Sequence, residues 1–475
     1  MSSGAQTGTG IHRNPKGGQK KKSPPPSGGK GHSSGGDGEE VVLEFGGYKG
    51  ALGLMIFSHS LMLYLWISLR YYQGSVIYPS SLEDVGPFFG RMWGHLKEGA
   101  MPTWEATGLY MGFLAFQLLL AFVLPGLSVK GLRVPSEGNR QLIYLCNNYA
   151  CWLVTLVALG AIHYSGVFKL GRVIDVLGSI MVVSMIFSDA LSVLTYLVAF
   201  ATGKTVRMTG NHLYDFFMGA YLNPRLGKVD LKLFGETRVW TLLFVLTACA
   251  AAKQHELYGV VTWPMWFMVA AHGIYAHACA KGEHFIPACW DIFYEKWGWM
   301  LIYWNFAGVP FVYCFSSMWL LKHEPFEHST PYTVALFVLL FLAYYAWDTA
   351  NAQHKSFRLQ QAGNFISRPW AIPQLPWSVI ENPRYLKTKA GTPLLIDGWY
   401  RYVRKINYLG DIVMAFLWGM ACGFDAFLPY FYAIFFTGMI LHRGIRDNER
   451  CSRKYGEDWD RYCKEVPYIL IPFVW

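Results

Sequence analysis

"FLPYFYAIFFTGMILHRGIRDNERCSRKYGEDWDRYCKEVPY", residues 427–468, changes character at His442. Before it the chain is almost wholly apolar and suits lipid. After it about half of the residues are charged, yet Cys451, Tyr455, Trp459 and Tyr462 recur through the charged part. A solvated tail needs the charges but not the rings. The stretch therefore reads as a membrane helix that continues into water with a second task there.

The rest of the chain agrees with a lipid setting. Of 475 residues, 53% are hydrophobic, 17% aromatic and 15% charged, whereas a soluble domain carries about 25% charged residues. Apolar runs of about 20 residues recur near 51–69, 106–126, 142–164, 173–201, 238–258, 261–280, 298–321, 332–350, 410–425 and 427–441. They predict an all-α polytopic membrane protein with about ten transmembrane helices. About 34 of the 41 Lys and Arg residues then fall on the side of the N-terminus, which predicts both termini in the cytoplasm. The net charge of +10 is thus a matter of topology, and nucleic acid is not expected as a partner.

Nine cysteines show no CxxC pairing, so neither a disulfide framework nor a zinc site is expected. Residues 1–40, rich in Gly, Ser, Pro and Lys and without an apolar leader, read as a disordered basic cytoplasmic tail. Residues 41–475 read as the membrane domain. The segment 351–409 is a long cytoplasmic connection whose aromatics predict an ordered region.

On a helix, Arg443, Asp447, Cys451, Lys454 and Tyr455 share one face, and Tyr462 returns to it. Arg446, Arg450 and Arg453 form a neighbouring basic stripe. Cations, an acid and rings together suit a ligand with phosphates, hydroxyls and a flat base. A basic helix drawn to anionic lipid headgroups is the competing reading. Two further groups meet the same side: His354, Lys355 and Arg358 in "HKSFR", and "RYVRK" followed by Asn407 and Tyr408. Three such groups strengthen the case for one anionic ligand. Neither GxGxxG nor GxxxxGK[ST] occurs in a suitable place, so a nucleotide would have to bind a helical scaffold.

Ionisable residues within spans are costly and mark candidates. Lys253, His255, Glu256, Glu283, Asp291, Glu295 and Asp348 lie near span ends, where capping and snorkelling explain them. His272 and His277 lack carboxylates at ligand spacing, so no metal site is expected. Tyr275 differs, because a phenol in an apolar helix can donate a proton without carrying charge while it waits.

The stretches "GNHLYDFFMGAYLNPRLG" (210–227), "LLIDGWYRYVRKINYLGD" (394–411) and "HRGIRDNERCSRKYGEDWDRY" (442–462) resemble the signatures of the sterol reductase family. That family includes the C-14 sterol reductases, 7-dehydrocholesterol reductase and the lamin B receptor, and the resemblance covers nearly everything after residue 40. "EFGGYKG", "MTGNHLYDFFMGAYLNPR", "ACAKGE" and "DTANAQ" are most similar to its fungal branch that reduces the C24(28) side-chain double bond in the last step of ergosterol synthesis.

The resemblance implies a ten-helix NADPH-dependent enzyme of the endoplasmic reticulum membrane. It takes its sterol from the bilayer among membrane lipids, with other sterol-biosynthetic enzymes as possible partners. The cytoplasmic cofactor pocket would be formed by the C-terminal helices and loops, about residues 340–475. It implies cofactor contacts for His354, Lys355, Arg358, Leu395, Tyr400, Asn407, Tyr408, Arg443, Asp447, Cys451, Lys454, Tyr455 and Tyr462. His354 stands where the family usually has Lys, and Tyr400 where it often has Trp. Tyr275 falls at the proposed proton donor, and Asp447 is a candidate for cofactor orientation or proton relay. The implied reaction is protonation at C28 with hydride delivered to C24. Reduction of a C-14 or C-7 ring bond, or an inactive sterol-binding scaffold, are the alternatives.

Overall fold

A computed structural model describes residues 43–474 apart from 135 and 137. The expected 1–40 tail lies outside the described residues. Among the described residues five helices are long and apolar enough to cross a bilayer: α1 (Gly47–Tyr71), α3 (Trp104–Val123), α6 (Leu177–Ala201), α8 (Leu231–Tyr258) and α14 (Thr330–Gln361). At about 1.5 Å per residue, 20 residues already reach about 30 Å. The shortest of the five has 20 residues. Large apolar side chains such as Leu119, Leu197 and Leu342 point outward from them. The chain is a mostly helical, polytopic membrane protein.

Around these run α2 (Val85–Gly99), α4 (Asn148–Tyr164), α5 (Arg172–Asp175), α7 (His212–Met218) and α9 (Trp263–Lys281). The second half adds α10 (Trp290–Phe293), α11 (Trp299–Tyr303), α12 (Val309–Tyr313), α13 (Phe315–Lys322), α15 (Ile406–Met420), α16 (Phe431–Tyr455) and α17 (Glu457–Glu465). The starts of α3, α8 and α9 follow the capping rules. Thr103 accepts from the Ala106 N–H at 3.1 Å, Asp230 from Leu233 at 3.0 Å, and Thr262 caps α9 just before Pro264.

Three expectations need correction. The architecture is not purely α-helical: the described residues include three two-stranded sheets, β1 (Leu127–Val134) with β2 (Arg140–Cys146), β3 (Arg225–Leu226) with β4 (Val229–Asp230), and β5 (Tyr385–Leu386) with β6 (Leu394–Leu395). Strand β2 takes the start of the 142–164 segment, leaving α4 with 17 residues. The 298–321 segment is not one helix, because Pro310 lacks the N–H that would continue the ladder and a π turn at Trp304–Gly308 precedes it. Gly308 is required there, since a Cβ would lie 2.4 Å from the Trp304 ring.

A buried polar knot ties this half together. Arg238 on α8 reaches Glu283 (3.4 Å), Asn147 (3.2 Å) and the Thr237 hydroxyl (2.8 Å). Glu283 also accepts from the Asn148 N–H at 2.6 Å, and Asn147 donates to the carbonyls that end α3. The knot gives Glu283 and Arg238 a partner each, which buried charges need.

Candidate cofactor and catalytic site

Helix α14 extends beyond its apolar part, so its last turns present Asn351, His354, Lys355 and Arg358 outside the bundle. Helix α16 does the same with Arg443, Asp447, Cys451 and Lys454. Between them α15 begins with Asn407 and Tyr408, and Asn407 Nδ2 donates to Asn351 Oδ1 at 3.2 Å. The connection after α9 forms the facing side. There Cys289 receives Lys355 Nζ at 2.9 Å, Trp290 lies 4.2 Å under the Arg450 guanidinium, and Asp291 pairs with Arg443 at 3.5 Å.

Asp447 sits between two cations, Lys405 and Arg450, the latter at 2.8 Å. Burial alone would raise its carboxyl, but the Lys405 ammonium and Arg450 hold it below the usual range. Burial would likewise lower Lys405, and Tyr408 and Asp447 reverse that. The pair is ionised on both sides. Asp447 thereby fixes Lys405, whose ammonium lies 5.4 Å over the Tyr408 ring.

The remaining expected residues divide into two groups. His354 and Tyr400 bring their rings to 5.3 Å, and Leu395 packs with Tyr400 against Phe357 and Val403. Burial pushes the Tyr400 hydroxyl up, keeping it a neutral donor. Tyr455, Trp459 and Tyr462 stack in sequence, with centroids 6.3 and 5.1 Å apart, and Cys451 packs against them. Lys454 is exposed, its ammonium 4.9 Å over Tyr455. Within the neighbouring stripe, Arg446 is tied to Glu44 and Arg450 to Asp447, while Arg453 faces outward.

The charge pattern fits a dinucleotide phosphate. Lys355 Nζ meets the Cys289 thiol, and among the described residues neither Lys355 nor Arg358 forms an ion pair with a carboxylate. Such cations are open to phosphate oxygens, and Arg can engage them in a fork.

Tyr275 lies apart from this surface, buried in α9. Its ring stacks on Trp347 at 4.7 Å and meets Trp240 at 4.8 Å, with Trp418 edge-on at 6.3 Å. Its hydroxyl and the Trp347 indole face the carboxylate of Asp411. Asp411 is four residues after Asn407 and three after Tyr408, on the same face of α15. The preceding Gly410 permits the approach, because a Cβ there would be 2.9 Å from both the Ala343 carbonyl and Trp347 Cβ on α14. One helix face therefore joins the candidate cofactor residues to the buried phenol.

Sequence reading passed over Asp411, although it closes the quoted 394–411 motif. An acid placed i+4 from a candidate Asn at the start of an apolar helix is the signal that could have found it. It also passed over Asp291, Trp290 and Cys289 as partners of Arg443, Arg450 and Lys355.

The sequence profile of the "Ergosterol biosynthesis ERG4/ERG24 family" matches residues 39–475. The chain belongs to this family. The ERG4/ERG24 relatives include the delta(24(24(1)))-sterol reductase of Aspergillus fumigatus, 42% identical over 91% of this chain and 93% of that protein. The delta(24(24(1)))-sterol reductase of Gibberella zeae is 41% identical over 91% of this chain and 73% of its own length. The delta(14)-sterol reductase of Methylotuvimicrobium alcaliphilum is more distant, 35% identical over 89% of this chain and 94% of that protein. The ERG4/ERG24 profile spans the knot, the α14–α16 surface and Tyr275 alike.

Proposed function

We infer that this chain reduces the C24(28) double bond of a 24(28)-methylene sterol with NADPH, the bond numbered 24(24(1)) in the relatives' names. The observation that carries this reading is the α15 face that links Asn407 and Tyr408 to Asp411, and through it to the Tyr275 hydroxyl.

Tyr275 is positioned to give its proton to C28 of a methylene held among the rings of Trp240, Trp347 and Trp418. Protonation there leaves a tertiary cation at C24, and the aromatic walls favour it electrostatically. Asp411 orients the phenol and is the group through which its proton returns. NADPH, when bound, supplies the hydride that saturates C24. Lys355 and Arg358 would hold phosphate, Tyr400 and His354 would offer ring faces, and the Asp447–Lys405 pair would fix the α15–α16 side. Asp447 thus serves cofactor orientation, and the proton path runs through Asp411.

The same reading places the enzyme in the endoplasmic reticulum membrane with ten membrane-crossing segments and both termini cytoplasmic. Residues 1–40 form a basic tail, and 41–475 the membrane domain with its cofactor half from about 340. The sterol comes from the bilayer, and other sterol-biosynthetic enzymes are the proposed neighbours. The test is product analysis of the purified chain with a 24(28)-methylene sterol, NADPH and an NADH control. A saturated side chain formed with NADPH is expected. An intact side chain together with reduction of a C-14 or C-7 ring substrate would overturn the C24(28) assignment.

A further inference from the structure

The connection "RPWAIPQLPWSV", residues 368–379, lies against the bundle with its backbone inward and its apolar side chains outward. Trp370 is 53% exposed, Ile372 62%, Trp377 46% and Val379 41%. In a water-facing loop the reverse arrangement is expected, with carbonyls solvated and rings tucked away.

The carbonyls here are instead satisfied by side chains of the helices beneath. Ile372 O accepts from Tyr149 on α4 at 3.2 Å and from His277 on α9 at 2.7 Å. His277 Nδ1 accepts from the Trp152 indole at 3.2 Å, so the ring proton is on Nε2 and points at the strap. Pro373 O accepts from Lys281 at 3.2 Å, Pro376 O from Tyr345 at 3.1 Å, and Trp377 O from Gln353 at 2.8 Å. Within the strap, Gln374 serves Arg368 O and Ala371 O, and Ser378 serves Leu375 O. Pro369, Pro373 and Pro376 bring no N–H that would need a partner.

Seven of the twelve carbonyls are met by protein groups while the apolar edge turns outward, an arrangement suited to the headgroup boundary, where water is still at hand for the remaining backbone groups. The supports tell where it resides. Tyr345 belongs to the membrane-length helix α14, Lys281 ends α9, and Tyr149 begins α4, so the strap crosses the bundle at the level where helices leave the apolar layer. Trp side chains are characteristic of that boundary, and the buried Arg368 backs the Trp370 ring from beneath at 4.5 Å.

We propose that residues 368–379 form an interfacial strap whose Trp370, Ile372, Trp377 and Val379 side chains are set into the headgroup–acyl boundary of the bilayer. It anchors the cofactor-side connection to the membrane. Gln353 couples the two directly, donating to Trp377 O while its Oε1 accepts from the Trp399 N–H at 3.0 Å, one residue before Tyr400.

The test uses the full chain in phospholipid nanodiscs with a fluorescent amino acid introduced by codon suppression at position 372. Position 389, where the Lys389 side chain is 80% exposed, is the water-facing reference. Lipids with a doxyl group near the headgroup should quench position 372 several-fold more than position 389, and aqueous iodide should do the opposite. A repeat at position 379 guards against a local effect of the label, and unfolding midpoints equal to the unlabelled chain confirm the fold. Iodide quenching at 372 and 379 as strong as at 389, without doxyl quenching, would overturn the proposal and leave the edge to a protein partner.

Discussion

The Tyr275 hydroxyl and the Asp411 carboxylate face one another between α9 and α15, and Gly410 seats α15 against the α14 backbone at Trp347, on whose ring Tyr275 stacks. A phenol and an acid in this relation can hold and replace one proton. Three other acids are held by cations: Glu283 by Arg238, Asp291 by Arg443, and Asp447 by Lys405.

Tyr275→Phe keeps the ring stack and removes the proton. We expect kcat to fall by about 10²-fold or more while NADPH affinity changes little. Asp411→Asn should lower kcat as well and displace its pH profile. Steady-state kinetics alongside cofactor titration separates these effects, and a Tyr275→Phe chain with full turnover would remove it as the acid.

Lys355→Ala and Arg358→Ala each delete a cation that pairs with no carboxylate among the described residues. A charge-assisted hydrogen bond is worth about 1.5–3 kcal/mol, so each change should weaken NADPH binding by about 10- to 100-fold. NADH binding should weaken less if the lost contact is to the extra phosphate. Equal losses for both cofactors would place these cations elsewhere on the dinucleotide.

Glu283→Ala strands the buried Arg238 guanidinium. Removing one partner of a buried pair costs about 3–5 kcal/mol, whereas replacing both with apolar residues costs far less. Thermal unfolding should therefore rank Glu283→Ala below the Arg238→Met/Glu283→Met double variant. The reverse ranking would show that the pair does not hold the knot.

His284 supplies a pH test. Its Nδ1 accepts from Arg368 at 2.9 Å, and burial, with Arg368 adding to it, pushes the imidazole down to about 3 from 6.5. The folded pKa lies below the unfolded one, so as pH falls the unfolded chain takes up the proton first. Stability is full above about 6.5 and is lost as pH falls toward 3, at up to about 1.4 kcal/mol per pH unit. His284→Gln, which can still accept from Arg368, should flatten that slope by about one proton in unfolding measured between pH 7 and 4.

The spans were legible in the sequence where apolar runs ended in clear punctuation, as with Thr103 before α3 or Thr262 and Pro264 around the start of α9. They blurred where one apolar run served two structures. "LIYLCNNYACWLVTLVALG" is continuous in hydropathy, yet its first residues pair with β1 and the rest form α4. Periodicity cannot separate a buried strand from a helix over so short a run. At the site, the stripes on α14 and α16 were legible because each lies on one helix. The Lys355–Cys289 contact, 66 residues apart, and the meeting of Asp411 with Tyr275 are products of tertiary packing, and no local pattern announces them.

Helix α14 bears Trp347 beside Tyr275 and Arg358 near its C-terminal end, within one unbroken run of residues. It therefore acts as a measuring rod. The spacing is eleven residues, about 16 Å at the helical rise, and no loop lies between them to absorb a change. A single inserted residue would lengthen that spacing by about 1.5 Å and turn one end by about 100° relative to the other. The reach from Arg358 to the rings around Tyr275 is thus a fixed length of the fold, one that mutation can tune only in helical steps.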